Sequence, residues 1–74
     1  MPLITVKLIE DVFTPEQKVR IIETLTDAMV AIEGENLREL TFVIIEEVKQ
    51  GGWGVGGKPL TASDVHRLQH AVAA

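Results

Sequence analysis

The residue with the most unusual chemistry in this sequence is Pro2, which directly follows Met1. A small second residue lets methionine aminopeptidase remove the initiator, and the exposed proline then carries a secondary amine in place of an amide. A free α-amino group titrates at about 7.7–8.0, and burial against apolar surface or a nearby cation lowers that toward neutrality, where a general base works best. A lysine would need a much larger shift to do the same. Chains also begin Met-Pro for processing reasons alone, so Pro2 gains weight only from its surroundings. It opens an apolar segment directly and is anchored by it.

Other chemistry is less well supported. The sequence holds no Cys, which removes thiolate metal sites, cysteine nucleophiles and disulfides. His66 and His70 stand four apart, a spacing that can hold zinc, but no third ligand accompanies them, and a solvated helix face or a partner for the helix C-terminus is the favoured reading. The stretch Gly51 to Gly57 lacks the Gly-Lys-Ser/Thr ending of a phosphate loop. Glu46 and Glu47 are adjacent on a predicted strand, which puts them on opposite faces and disfavours a paired-carboxylate mechanism.

The elements that would position Pro2 follow from the pattern. Leu3 to Ile9 is rich in β-branched residues with Thr5 and Lys7 on one face, and reads as a first strand. Thr14, Pro15 and Gln17 spell a helix start, with a cap, a proline at the first helical position and a capping-box partner. Val19, Ile22, Leu25, Met29 and Ile32 then recur at threes and fours, widened by Ile21 and Ala28, which predicts one amphipathic helix from Pro15 to about Glu33 stopped by Gly34. Leu40 to Val48 reads as the second strand. Phe42 to Ile45 is uninterrupted, so both of its faces must be covered, as in a parallel strand or a subunit interface. A strand, a helix and a strand of these lengths form a right-handed unit with parallel strands, and its one helix leaves a sheet face for a partner chain. Five glycines around Trp53 and Val55 suit a tight hairpin or bulged loop, and Thr61 with Asp64 starts a short last helix from Ala62 to about Val72.

Seventy-four residues predict one domain, over 1–74, and a domain of this size is marginal without further burial, which oligomerisation would supply here. Lys and Arg number 7 against 11 Asp and Glu, for a formal net charge of -4, and no basic cluster serves a phosphate backbone. Nucleic acid is therefore not an expected partner. No run approaches the roughly 20 apolar residues of a membrane span, and Lys7 and Glu10 interrupt the window where a secretory signal would have its apolar core. The cytoplasm is the expected location.

Three segments, MPLITVKLIED at the front, TPEQKVRIIETLTDAMV in the helix and EEVKQGGWGVGG after the second strand, together resemble the 4-oxalocrotonate tautomerase family across nearly the whole chain. The resemblance implies an α+β fold: a β-α-β subunit with parallel strands, a short hairpin and a C-terminal helix, paired as a dimer with one four-stranded sheet, often as three dimers. It implies a reaction in which the processed proline moves a proton between carbon and oxygen of a small enol or unsaturated keto acid, without metal or cofactor. Pro2 stands at the matching position. Trp53 matches the aromatic before the Gly-x-Gly-Gly turn, an apolar wall that helps hold the amine's pKa down, or else an interface anchor.

Two features of the family are missing. Where relatives place an arginine in the loop after strand one, this sequence has Asp11-Val12-Phe13, and where they place one early in strand two it has Phe42. Such arginines grip substrate carboxylates through fork-like hydrogen bonds. Phe42 instead makes the expected pocket more apolar and favours a substrate with one carboxylate, or an uncharged enol. Arg38 is the first candidate for a substitute cation, with Lys58 or Arg67 of a neighbouring subunit as others. Hydration or dehalogenation by the same amine, and a non-catalytic oligomeric subunit, are the competing readings.

Overall fold

The computed structural model describes residues 1–71. Strand β1 spans Leu3–Ile9 and pairs in parallel with β2, Phe42–Val48, in a register that sets Leu3 beside Phe42 and Ile9 beside Val48. Backbone bonds extend the ladder at both ends: Phe42 N–H donates to the Pro2 carbonyl at 3.1 Å, and Glu10 N–H to the Val48 carbonyl at 2.9 Å. Pleating then divides the side chains. Ile4, Val6, Leu8, Val43 and Ile45 are half-buried, whereas Leu3, Thr5, Lys7, Phe42, Ile44 and Glu46 face outward.

Helix α1, Pro15–Glu33, crosses between the two strands and covers the first of these faces. Its start is the predicted capping box, with Thr14 Oγ1 accepting from Gln17 N–H at 3.1 Å and Gln17 Oε1 accepting from Thr14 N–H at 2.9 Å. A cap of this kind contributes about 1 kcal/mol. Gly34 ends the helix at φ 104°, a value that L side chains rarely adopt, and its N–H reaches the Val30 carbonyl at 2.8 Å.

The buried stripe of α1 differs from the predicted one. Lys18, Ile21, Leu25 and Met29 are half-buried and Val30 is buried, while Val19, Ile22, Ala28 and Ile32 are exposed. Polar contacts explain the rotation. Lys18 forms an ion pair with Glu47 of β2 at one end of the helix, and Thr41 meets Glu33 at the other. Together these turn the row through Ile21, Leu25 and Met29 toward the sheet.

Strand β2 also starts later than Leu40, because Glu35–Leu40 winds into a 3-10 turn. The Thr41 hydroxyl closes it, lying 2.8 Å from the Leu37 carbonyl and 2.5 Å from Glu33 Oε2, so that two acceptors share its single hydrogen. Beyond β2, strands β3 (Gly54–Val55) and β4 (Lys58–Pro59) form the expected hairpin, with Gly56 and Gly57 at φ 59° and 82° in its turn. A turn with two positive φ values matches strand twist and favours glycine. Helix α2, Ala62–Gln69, ends at its cap residue His70, short of the predicted Val72, which lies outside the described residues. Ile9, Val12 and Ala62 form a small buried cluster, with Phe13, Trp53, Leu60 and Val65 packed against it.

Candidate active site

Pro2 lies at the amino-terminal end of the sheet, half-buried and fixed by the bond from Phe42 N–H to its carbonyl. Its nitrogen is joined to Met1, an exposed residue. The backbone of Phe42 is thus a direct neighbour of Pro2, while the Phe42 side chain lies on the open face with Leu3 and Ile44. That face is apolar near Pro2: Leu3 is 60% exposed, Phe42 49% and Ile44 45%. Toward its other end it becomes charged, where Lys7 meets Glu46 at 3.9 Å.

Arg38 stands on the 3-10 turn before β2 and therefore at the Pro2 end. Its guanidinium is already engaged, with Nε donating to Glu35 Oε1 at 2.7 Å, Nη2 to Glu35 Oε2 at 3.2 Å and Nη1 to Asp27 Oδ1 at 2.8 Å. The hydrogen bonds it donates to Glu35, and then to Asp27, hold its pKa above the ordinary arginine value. In return Arg38 keeps the Glu35 carboxyl below the usual carboxylate range. Two carboxylates around one guanidinium leave it poorly placed to recruit a third.

Trp53 lies at the opposite end. It packs against Ile9, Val12 and Ala62, beyond the carboxy-terminal end of β1. Seven strand residues at about 3.3 Å each separate that cluster from Pro2 by roughly 23 Å. Within one chain the structure therefore brings Pro2 and Phe42 together, leaves Arg38 nearby but committed, and sets Trp53 apart. An open groove of about 350 Å³ lined by Phe13, Gln17, Arg20, Ile21, Thr24 and Leu25 runs along the first half of α1, and Pro2 is not among its walls.

Of the other cations considered, Arg67 pairs with Asp64 of its own helix, and Lys58 is exposed on β4. His66 is half-buried, with Nε2 3.0 Å from the Asp11 carbonyl, while His70 is exposed at the end of α2. Glu46 and Glu47 do face opposite ways, one to Lys7 and one to Lys18. Gln50 was not singled out by sequence reasoning, although its side chain joins two elements that are distant in sequence. Nothing local in a lone glutamine before two glycines signals that. Among the described residues no helix is long and apolar enough to cross a membrane.

Comparison with known proteins agrees with this architecture. The family model described as tautomerase enzyme matches residues 2–63, so the match begins at Pro2. Probable tautomerase RSp0893 of Ralstonia nicotianae is 49% identical over 63 residues, covering 85% of this chain and 87% of the relative. The crystal structure of TomN, a 4-oxalocrotonate tautomerase homologue in the tomaymycin biosynthetic pathway, superposes with a TM-score of 0.72 at 32% identity and covers 92% of this chain and 95% of its own. DmpI from Helicobacter pylori gives a TM-score of 0.67 at 34% identity, covering 88% and 98%. By sequence over most of its length and by the order and pairing of its strands, this chain belongs to the tautomerase enzyme family.

Proposed function

We propose that the chain is a cofactor-independent tautomerase that moves a proton within a small enol or unsaturated keto acid, with the Pro2 amine as base and then acid. The observation that carries this reading is the position of Pro2. Hydrogen-bonded to Phe42 at the start of β1 and half-buried, it holds its ring nitrogen at a fixed point beside apolar surface once Met1 is removed. Partial desolvation disfavours the charged ammonium and leaves a neutral amine to accept a proton from the enol hydroxyl. The same nitrogen, now protonated, delivers it to carbon, giving the keto isomer with no net change in atoms.

Pro2 alone does not make a pocket. Among the described residues only Ile9, Val12, Val30 and Ala62 are buried apolar side chains, and the face bearing Leu3, Phe42 and Ile44 is open. Covering each of those side chains is worth on the order of 1 kcal/mol or more. A second copy is the occupant this reading requires, in a dimer or a trimer of dimers, since it would cover that face and could bring its own Trp53 to within reach of Pro2. Phe42 and Trp53 then form apolar walls. With Arg38 engaged by Glu35 and Asp27, a substrate carrying one carboxylate or none suits the site better than a dicarboxylate.

Intact-mass measurement establishes whether Met1 is removed, and ketonisation of phenylenolpyruvate by the processed protein is then compared with Pro2→Ala. Equal rates for the two would remove Pro2 from the mechanism and with it this reading.

A further inference from the structure

Gln50 follows β2 and precedes the glycine-rich loop, and its side-chain amide is bonded on both sides. Nε2 donates to Asp11 Oδ2 at 3.0 Å, and Oε1 accepts from the Ala62 N–H at 3.0 Å. A carboxylate only accepts and an N–H only donates, so these two partners fix the orientation of the amide. The backbone N–H of Gln50 adds a bond to Glu10 Oε1 at 3.3 Å. On the far side Asp11, at φ 66°, accepts at its carbonyl from His66 Nε2 at 3.0 Å. Three segments are therefore tied together: the β1–α1 loop, the end of β2 and helix α2.

These bonds surround the buried cluster of Ile9, Val12 and Ala62 on which Trp53 rests. The loop that carries Trp53 has little stiffness of its own, since Gly51, Gly56 and Gly57 all adopt positive φ and no Cβ restricts them. Its two flanks are what fix it. Downstream, Leu60 N–H donates to the Trp53 carbonyl at 2.7 Å, and Ala62 N–H donates to Gln50. Upstream, Gln50 itself holds the chain against Asp11.

We propose that Gln50 is the positioning residue for Trp53: its amide, held between Asp11 and Ala62, sets the angle at which the loop presents the indole to the substrate site. The inference rests on the reading above in which Trp53 walls that site. It assigns Gln50 no contact with substrate.

The test uses Gln50→Glu and its reciprocal partner Asp11→Asn in the full-length, processed oligomer. Gln50→Glu retains an acceptor for Ala62 but turns a carboxylate oxygen toward Asp11. The double variant Asp11→Asn with Gln50→Glu returns a donor to that contact from the other side. Trp53 is the only Trp and there is no Tyr, so its emission reports on the loop without interference and without substrate. We expect Gln50→Glu to red-shift that emission and to raise KM for phenylenolpyruvate about tenfold, with kcat changed less than about threefold, the scale of one lost hydrogen bond to a charged group. In the double variant both should return to within about twofold of the parent. A purely structural Gln50 would lower melting temperature and leave KM and emission of the folded oligomer unmoved, and that result overturns the proposal, as does a double variant that recovers neither. Should Pro2→Ala retain full rate, the catalytic reading fails, whereas the emission shift and its recovery still decide whether Gln50 orients Trp53.

Discussion

At the Pro2 end of the sheet the candidate base is placed by backbone, and at the Trp53 end the aromatic is placed by side chains. Pro2 needs only the β1–β2 ladder, whose last bond runs from Phe42 N–H to the Pro2 carbonyl. Trp53 depends on a small apolar cluster and on bonds among Asp11, Gln50, Ala62 and His66. A ladder bond tolerates almost any side chain, while a polar network loses much of its value when one member changes. The end that would carry the reaction is thus robust to substitution around it, and the end that would shape the pocket is sensitive.

The contrast can be broken most directly at Pro2. Pro2→Ala in the processed protein should reduce kcat for phenylenolpyruvate by about a hundredfold or more, the usual scale for loss of a general base, with far-UV circular dichroism unchanged. Trp53→Ala should cost about fiftyfold in kcat/KM, more than disorienting the indole does, through loss of its apolar contacts. If the two ends meet only between chains, refolding the Pro2→Ala and Trp53→Ala variants together should recover about a quarter of the parental activity, because some mixed sites combine an intact Pro2 with an intact Trp53. No recovery in a mixture that demonstrably exchanges subunits would argue that the ends serve separate purposes.

Ile44→Asp places a charge within the apolar part of the open sheet face. It should shift the protein toward monomer in sedimentation velocity and lower activity in proportion to the oligomer lost. Arg38→Gln should change KM less than about threefold, because the guanidinium is already committed to Glu35 and Asp27. A much larger rise in KM would show that substrate displaces those carboxylates.

The smallest effect concerns α2. Asp64 is held below the usual carboxylate range by the Thr61 backbone N–H, then by the Thr61 hydroxyl, with Arg67 adding to both. Its pKa is lowered on folding, so the stabilisation is present above the unfolded carboxylate pKa and is lost as pH falls through the folded one. Asp64→Asn should therefore lower the melting temperature slightly at neutral pH, where the charged carboxylate is lost, and leave it nearly unchanged at acid pH, so that the profile between them flattens.

Much of this fold could be read directly from residue order. Thr14, Pro15 and Gln17 marked the start of α1, Gly34 its end, and Thr61 with Asp64 the start of α2, because capping is local chemistry within four residues. The parallel pairing of β1 and β2 and a hairpin or bulged loop in the glycine-rich stretch were legible for similar reasons of length and backbone permissiveness, and the structure placed the hairpin's turn at Gly56-Gly57. The buried face of α1 was not, since Val19, Ile22 and Ile32 satisfy helical periodicity as well as Ile21, Leu25 and Met29 do. The contacts of Lys18 with Glu47 and of Thr41 with Glu33 chose between them. Leu40 was equally ambiguous, apolar enough for a strand but drawn into a turn by the Thr41 hydroxyl.

Residue types and their near spacing determined that this chain has a proline at the head of a strand, one amphipathic helix behind it and a glycine-rich aromatic loop beyond it. The tertiary structure alone decided that Arg38 is engaged by carboxylates, that Gln50 bridges Asp11 and Ala62, and that Pro2 and Trp53 stand at opposite ends of one sheet. Local preferences act over a few residues and are written in sequence order. Separation in space and competition among polar partners arise only when distant segments pack, and those two things settle which groups are free to meet a substrate.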